Sequence, residues 1–148
     1  MEDAVMTLND VLQNKPGGVI TIPASMDLLE AINTMCERKV GALLVTAADG
    51  SLHGIATERD ILRYCSSSKG NLQGAVVEDA MTRHLIVASP STSVDEAMTL
   101  MTEHRFRHLP VLENGIPTGM ISIGDLVKAQ LTDITVEATY LREYISYS

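Results

Sequence analysis

The chain has 148 residues, 45% of them hydrophobic and 20% charged, a composition of folded globular proteins that excludes intrinsic disorder. Eleven Lys+Arg against nineteen Asp+Glu leave a formal charge of −8, so the surface as a whole repels polyanions and excludes nucleic acid and anionic membrane as general partners. One Phe, four Tyr and no Trp provide no platform for base stacking and leave the core to Val, Ile, Leu, Ala and eight Met.

In chain order, a short helix is expected from about Leu8 to Gln13, followed by an apolar extended piece at Val19 to Ile22. Leu28, Ile32, Met35 and Cys36 then form one stripe of a 3.6-residue period, which marks an amphipathic helix behind Asp27. A strand at about Gly41 to Thr46, a turn at Asp49-Gly50 and a second strand ending in Gly54-Ile55-Ala56-Thr57 come next. A last helix begins near Glu58, and Cys65-Ser66-Ser67-Ser68-Lys69-Gly70-Asn71 has the Ser/Gly composition of a surface linker. The same order then recurs: a short helix at Val77 to Met81, an extended piece at Leu85 to Ala88, and a helix with Val94, Ala97, Met98 and Met101 behind a capping box Ser93-Val94-Asp95-Glu96. A strand at His108 to Leu112, a turn at Asn114-Gly115, a strand ending in Gly119-Met120-Ile121-Ser122 and a helix from near Ile123 complete it.

The recurrence is residue by residue. Gly54-Ile55-Ala56-Thr57-Glu58-Arg59-Asp60 matches Gly119-Met120-Ile121-Ser122-Ile123-Gly124-Asp125 at an offset of 65, Val45 matches Val111 at 66, and Leu8-Asn9-Asp10-Val11-Leu12 matches Val77-Glu78-Asp79-Ala80-Met81 at 69. The first copy therefore carries three extra residues around Lys15-Pro16-Gly17-Gly18, and length changes fall at turns, as in structural duplicates. Neither copy alone covers both faces of its small sheet, so the two are expected to pack sheet against sheet as one body. The boundaries read as 1–68, 69–131 and a tail of 132–148.

These motifs, with Val40-Gly41-Ala42-Leu43-Leu44-Val45 and Phe106-Arg107-His108-Leu109-Pro110-Val111, resemble a tandem pair of CBS domains, the regulatory module of the cystathionine β-synthase type, over nearly the whole chain. The resemblance implies an α+β fold of two β-α-β-β-α repeats related by pseudo-twofold symmetry in one CBS-pair (Bateman) module with two clefts. It also implies a sensor of AMP, ADP, ATP, NAD or S-adenosylmethionine, with AMP the first choice, in a chain that forms a homodimer and acts on an unidentified effector protein.

An adenosine nucleotide needs an acceptor for the ribose hydroxyls and amides or cations for phosphate. Asp60 and Asp125 are acceptor-only groups suited to the ribose. Thr57 and Ser122 stand three residues earlier, where unsatisfied amides and the helix dipole favour an anion; the bland reading is that all four cap their helices. By the resemblance the clefts are built crosswise. The first combines Thr57, Arg59 and Asp60 with Ile86, Phe106, Arg107 and His108. The second combines Ser122 and Asp125 with Ile20, Val40, Gly41 and Ala42. Arg59 has Gly124 as its counterpart, so the second cleft lacks a cation at the matching places, and the first is expected to bind a phosphorylated nucleotide more tightly. In energy-sensing members of the family the basic pair runs His-Arg, whereas here it runs Arg107-His108, and which of the two points into the cleft is left open.

No catalytic residue or catalytic cofactor is expected: there is no GxxxxGK[ST], GxGxxG or GxSxG motif. His104 and His108 flank a helix end and do not share a helical face, so no metal site is expected either. The apolar run around Val40 to Ala48 is too short for a membrane span of about 18 apolar residues. Acidic Glu2 and Asp3 do not suit a secretory leader. Cys36, read as a buried helix thiol, and Cys65, read as a loop thiol, form no disulfide framework, which points to the cytoplasm. Val136, Tyr140, Leu141, Tyr144 and Ile145 give the tail an amphipathic helix, with Tyr140 and Tyr144 as anchors on a second subunit. The rival function is a nucleotide-independent dimeric scaffold with vestigial clefts.

Overall fold

The computed structural model describes residues 5–132; the expected tail helix lies outside the described residues from 133 onward. The elements are α1 (Leu8–Gln13), β1 (Thr21–Pro23), α2 (Leu28–Arg38), β2 (Ala42–Thr46), β3 (Leu52–Thr57), α3 (Glu58–Ser67), α4 (Val77–Ala80), α5 (Val94–His104), β4 (His108–Glu113) and β5 (Ile116–Ser122). A last helix, α6, follows, and its described part covers 123–132. This is the duplicated α+β arrangement, with one sheet in the order β1-β2-β3 and another of β4-β5.

The repeats differ at the first strand. β1 pairs in parallel with β2 through Ile22 and Val45, whereas the second repeat keeps a single parallel bridge between Ala88 and Val111. There the Ser89 amide turns to Thr92 Oγ1 at 3.1 Å, and Pro90 has no amide to extend the ladder. Three local expectations are corrected. α3 continues through Ser67, so Cys65 is helical, and the chain leaves the helix only at Lys69 and Gly70, both at positive φ. Cys36 is exposed, because the buried stripe of α2 runs through Leu28, Ala31 and Met35. Ser93 accepts from the Glu96 amide, but no return bond from the Glu96 carboxylate completes a capping box among the described residues.

Strand alternation places the core. Leu43, Val45 and Ala56 face inward with Ala31 and Met35 of α2, while Ala42, Leu44 and Ile55 form a second cluster packed with Leu85 and Met120 of the other repeat. Both faces of β2 are thus buried, one under its own helix and one at the sheet-to-sheet contact.

The opening helices cross over. Leu8 and Val11 of α1 belong to the core of the second repeat with Ala97, Met101, Leu109 and Ile121, and Val77 and Met81 belong to the core of the first. The backbone repeats the exchange with equivalent residues. Leu8 N donates to Thr92 O and Val77 N to Met26 O, both at 2.9 Å; Val94 N donates to Met6 O at 3.0 Å and Leu28 N to Ala75 O at 2.9 Å. Each repeat therefore lacks part of its core until the other supplies it.

Glycine allows this approach. A Cβ on Gly54 would lie 2.7 Å from the Thr82 carbonyl oxygen, beside Met81 Sδ; a Cβ on Gly119 would lie 2.6 Å from Leu12 Cδ2. The first obstacle is backbone tied to Ile55 by two hydrogen bonds of 2.8 and 2.9 Å, and the second is the end of a half-buried side chain that can rotate. Gly54→Ala is expected to destabilise the fold by about 1–3 kcal/mol through overpacking, and Gly119→Ala by less. Urea unfolding of the two variants checks the ranking, which fails if Gly119→Ala costs as much.

Candidate functional site

Four helices begin with the same device. An Asp three residues into the junction accepts the backbone N–H that precedes the helix: Thr7 N to Asp10 at 2.9 Å, Thr57 N to Asp60 at 2.9 Å, Val76 N to Asp79 at 3.0 Å and Ser122 N to Asp125 at 2.8 Å. Thr57 Oγ1 and Ser122 Oγ in turn accept from the amides of Asp60 and Asp125, at 3.2 and 3.1 Å. Helix capping, the bland reading of these four residues, is thus present at both motifs, and it fixes each carboxylate at a strand-to-helix junction.

At the first cleft Asp60 is 5% exposed. Its Oδ2 accepts from Thr57 N and Thr57 Oγ1, both at 2.9 Å, and its Oδ1 accepts from Thr82 Oγ1 at 2.8 Å. Arg63 Nη1, one helical turn on and outside the motif, stands 3.8 Å from Oδ1. A ribose here would have to take the place of the Thr82 hydroxyl. Arg59 and Arg107 are exposed, and neither forms an ion pair among the described residues. Ile86 and Phe106 are half-buried and pack on the core of the second repeat.

The second cleft differs from the expectation at its charge. Lys15 Nζ, from the loop after α1, lies 2.8 Å from Asp125 Oδ2 and 2.9 Å from the Met120 carbonyl oxygen. The matching places do lack a cation, and the one present, Lys15, stands in the three-residue length difference of the first repeat. Asp125 is more open than Asp60, with its side chain 22% exposed, and its Oδ1 accepts no hydrogen bond among the described residues. Burial pushes its carboxyl up, but the Lys15 ammonium and the Ser122 amide outweigh that and hold it below the usual carboxylate range. Ile20 and Val40 are half-buried against the first repeat's core. Ala42 is buried in the sheet-to-sheet contact, which leaves its side chain no room to face a ligand.

His108 and Gly41 meet at the seam. A Cβ on Gly41 would lie 3.4 Å from His108 Nε2 and 3.5 Å from Glu58 Oε1. The two strand starts are held to the following helices by equivalent bonds, Glu58 N to Gly41 O at 3.1 Å and Ile123 N to Arg107 O at 2.9 Å. His108, assigned to the first cleft, thus feels Lys15 and Asp125 of the second as well as Glu58 of the first and its neighbour Arg107. Of the basic pair, His108 is half-buried at the seam and Arg107 is exposed. A separate groove of about 460 Å³ between α1 and the β4-β5 hairpin, lined by Leu12, Gln13, Glu113 and Thr118 among others, contains none of the predicted residues.

The family model of the CBS domain matches residues 6–67 and again 77–132. The Arabidopsis thaliana CBS domain-containing protein CBSX3, mitochondrial, is 35% identical over 147 residues, covering 94% of this chain and 71% of that protein. A crystal structure of a CBS-domain containing protein from Agrobacterium tumefaciens superposes with a TM-score of 0.80 at 37% identity, over 88% of this chain and 97% of the other. CBSX2 of Arabidopsis thaliana, solved in complex with AMP, superposes with a TM-score of 0.72 at 28% identity, over 86% and 97%. No helix among the described residues is long and apolar enough to cross a membrane.

The seam carries a pH dependence. Burial lowers the His108 pKa below the ordinary 6.5, and Glu58, which favours the imidazolium, does not cancel it. Between the native pKa and 6.5 the unfolded chain binds more protons at this residue than the folded one. Stability is therefore present above 6.5 and falls as pH drops through that window. His108→Gln is expected to flatten this part of the stability profile. NMR titration of the imidazole checks the sign, and a midpoint above 6.5 would contradict it.

Proposed function

This chain belongs to the CBS-domain family, with two modules in tandem, and from that premise we propose that it is a regulatory adenosine-nucleotide sensor and not an enzyme. The ligand is AMP, ADP or ATP, or failing these NAD or S-adenosylmethionine, with AMP first. The observation that carries the reading is Asp125: a carboxylate pinned at a strand-to-helix junction whose Oδ1 accepts no hydrogen bond among the described residues, in a fold whose relative CBSX2 was solved with AMP. The ribose hydroxyls donate to Asp125 and, after displacing Thr82, to Asp60. Phosphate lies toward the seam, where Arg59 and Arg107 serve the first cleft and Lys15 the second. Ile86 and Phe106 on one side, and Ile20, Val40 and the Gly41-Ala42 backbone on the other, supply the apolar slot for the base.

Binding alters a partner only if the ligand prefers one of two states of the molecule. We place a second copy of the chain against α3 and α6, where Leu62 and Val127, equivalent in the two repeats, are 70% and 44% exposed. A homodimer in the cytoplasm then acts on an effector protein; within one chain Cys36 and Cys65 are free thiols. The saturated carboxylate of Asp60 favours a second reading for the first cleft alone, a closed structural contact with no ligand, as in the scaffold alternative.

Isothermal titration with AMP, ADP, ATP, NAD and S-adenosylmethionine tests the reading. Heat is expected with AMP, and Arg59→Ala is expected to weaken phosphate-dependent binding to the first cleft by roughly 10- to 150-fold, the loss of a charge-assisted hydrogen bond. No heat with any of the five on folded protein leaves the scaffold.

A further inference from the structure

Lys15 reaches from the first repeat into the second, and both of its acceptors, Asp125 Oδ2 and Met120 O, belong to that second repeat. The corresponding hydrogen bonds in the first cleft come from neutral donors, with the exposed Arg63 guanidinium farther off, 3.8 Å from Asp60 Oδ1. Thr82 Oγ1 donates to Asp60 Oδ1 at 2.8 Å, and Thr82 N donates to Ile55 O at 2.8 Å. Ile55 and Met120 hold the same position in their repeats, as do Asp60 and Asp125. One ammonium in the second cleft thus replaces two neutral donors in the first.

The replacement changes what can compete. A ribose hydroxyl can stand in for the Thr82 hydroxyl like for like. At Asp125 one hydroxyl of the vicinal pair can take Oδ1, but the second must displace the charged donor from Oδ2, and a charge-assisted bond is roughly twice as strong as a neutral one. The exchange becomes favourable when the displaced ammonium finds another anion. Lys15 can move to one: its side chain is 35% exposed, its stem is flexible, and an ammonium is a point charge without fixed orientation. The other charged groups that act on His108 at the seam, Glu58, Asp125 and Arg107, sum to one negative charge, which Lys15 neutralises while it stays there.

We propose that Lys15 is a selectivity latch: its ammonium pairs with Asp125 and is handed over to the phosphate of an entering ligand, so the second cleft admits phosphorylated adenosine nucleotides and rejects uncharged or cationic adenosine derivatives. This rests on the nucleotide reading above and adds to it the ligand class that the cleft excludes.

The test uses the full chain and residue-resolved amide NMR, in which Ser122 and Asp125 report the second cleft and Thr57 and Asp60 the first. AMP, adenosine and S-adenosylmethionine are titrated into the wild type, Lys15→Met and Lys15→Arg, with thermal unfolding to confirm that each variant is folded. In the wild type, AMP is expected to shift Ser122 and Asp125 at concentrations at least tenfold below adenosine. In Lys15→Met that preference is expected to fall about tenfold, with adenosine and S-adenosylmethionine binding more tightly, while Lys15→Arg keeps it. An unchanged preference in Lys15→Met, with AMP still bound, overturns the latch and leaves the nucleotide reading standing. No shift at Ser122 or Asp125 with any ligand in any protein overturns the nucleotide reading of this cleft and the latch with it.

Discussion

The structure depends on a reciprocal loan of backbone and core. Each opening helix donates its first amide to a carbonyl of the other repeat and buries its apolar residues there. An unpaired buried amide is costly, and each buried Leu or Val side chain contributes about 1.5–3 kcal/mol. A half-chain would therefore expose part of its core and leave hydrogen-bonding groups unmet. The crossing also delivers the loops that follow α1 and α4 to the Asp of the other repeat.

That geometry is symmetric, but the chemistry placed on it is not. Where the loop after α4 offers a hydroxyl and an amide to Asp60 and Ile55, the loop after α1 offers an ammonium to Asp125 and Met120. Two clefts with one backbone plan thus differ in openness and in charge. His108 sits between them, close to Gly41 and Glu58 and within the field of Lys15 and Asp125.

The duplication, the element order and the Asp at each final helix are all legible from spacing, because turns, caps and a 3.6-residue period are local. Gly54 and Gly119 can be recognised as a repeated motif, but their reason is not local: each makes room for the other repeat's opening helix. Cys36 reads as buried because it borders the apolar stripe, and only packing sets the stripe's centre on Leu28, Ala31 and Met35. Cys65 reads as loop because Ser-rich composition suggests a linker, yet the helix begun by the Thr57–Asp60 box runs on to Ser67.

Sequence by itself determined that this protein is two copies of one α+β unit with an acceptor carboxylate at the same place in each, because those features are written within a few residues of one another. Tertiary structure alone decided which groups meet those carboxylates. Lys15 is separated from Asp125 by 110 positions and Thr82 from Asp60 by 22, and no local pattern encodes a contact that exists only after the opening helices have crossed.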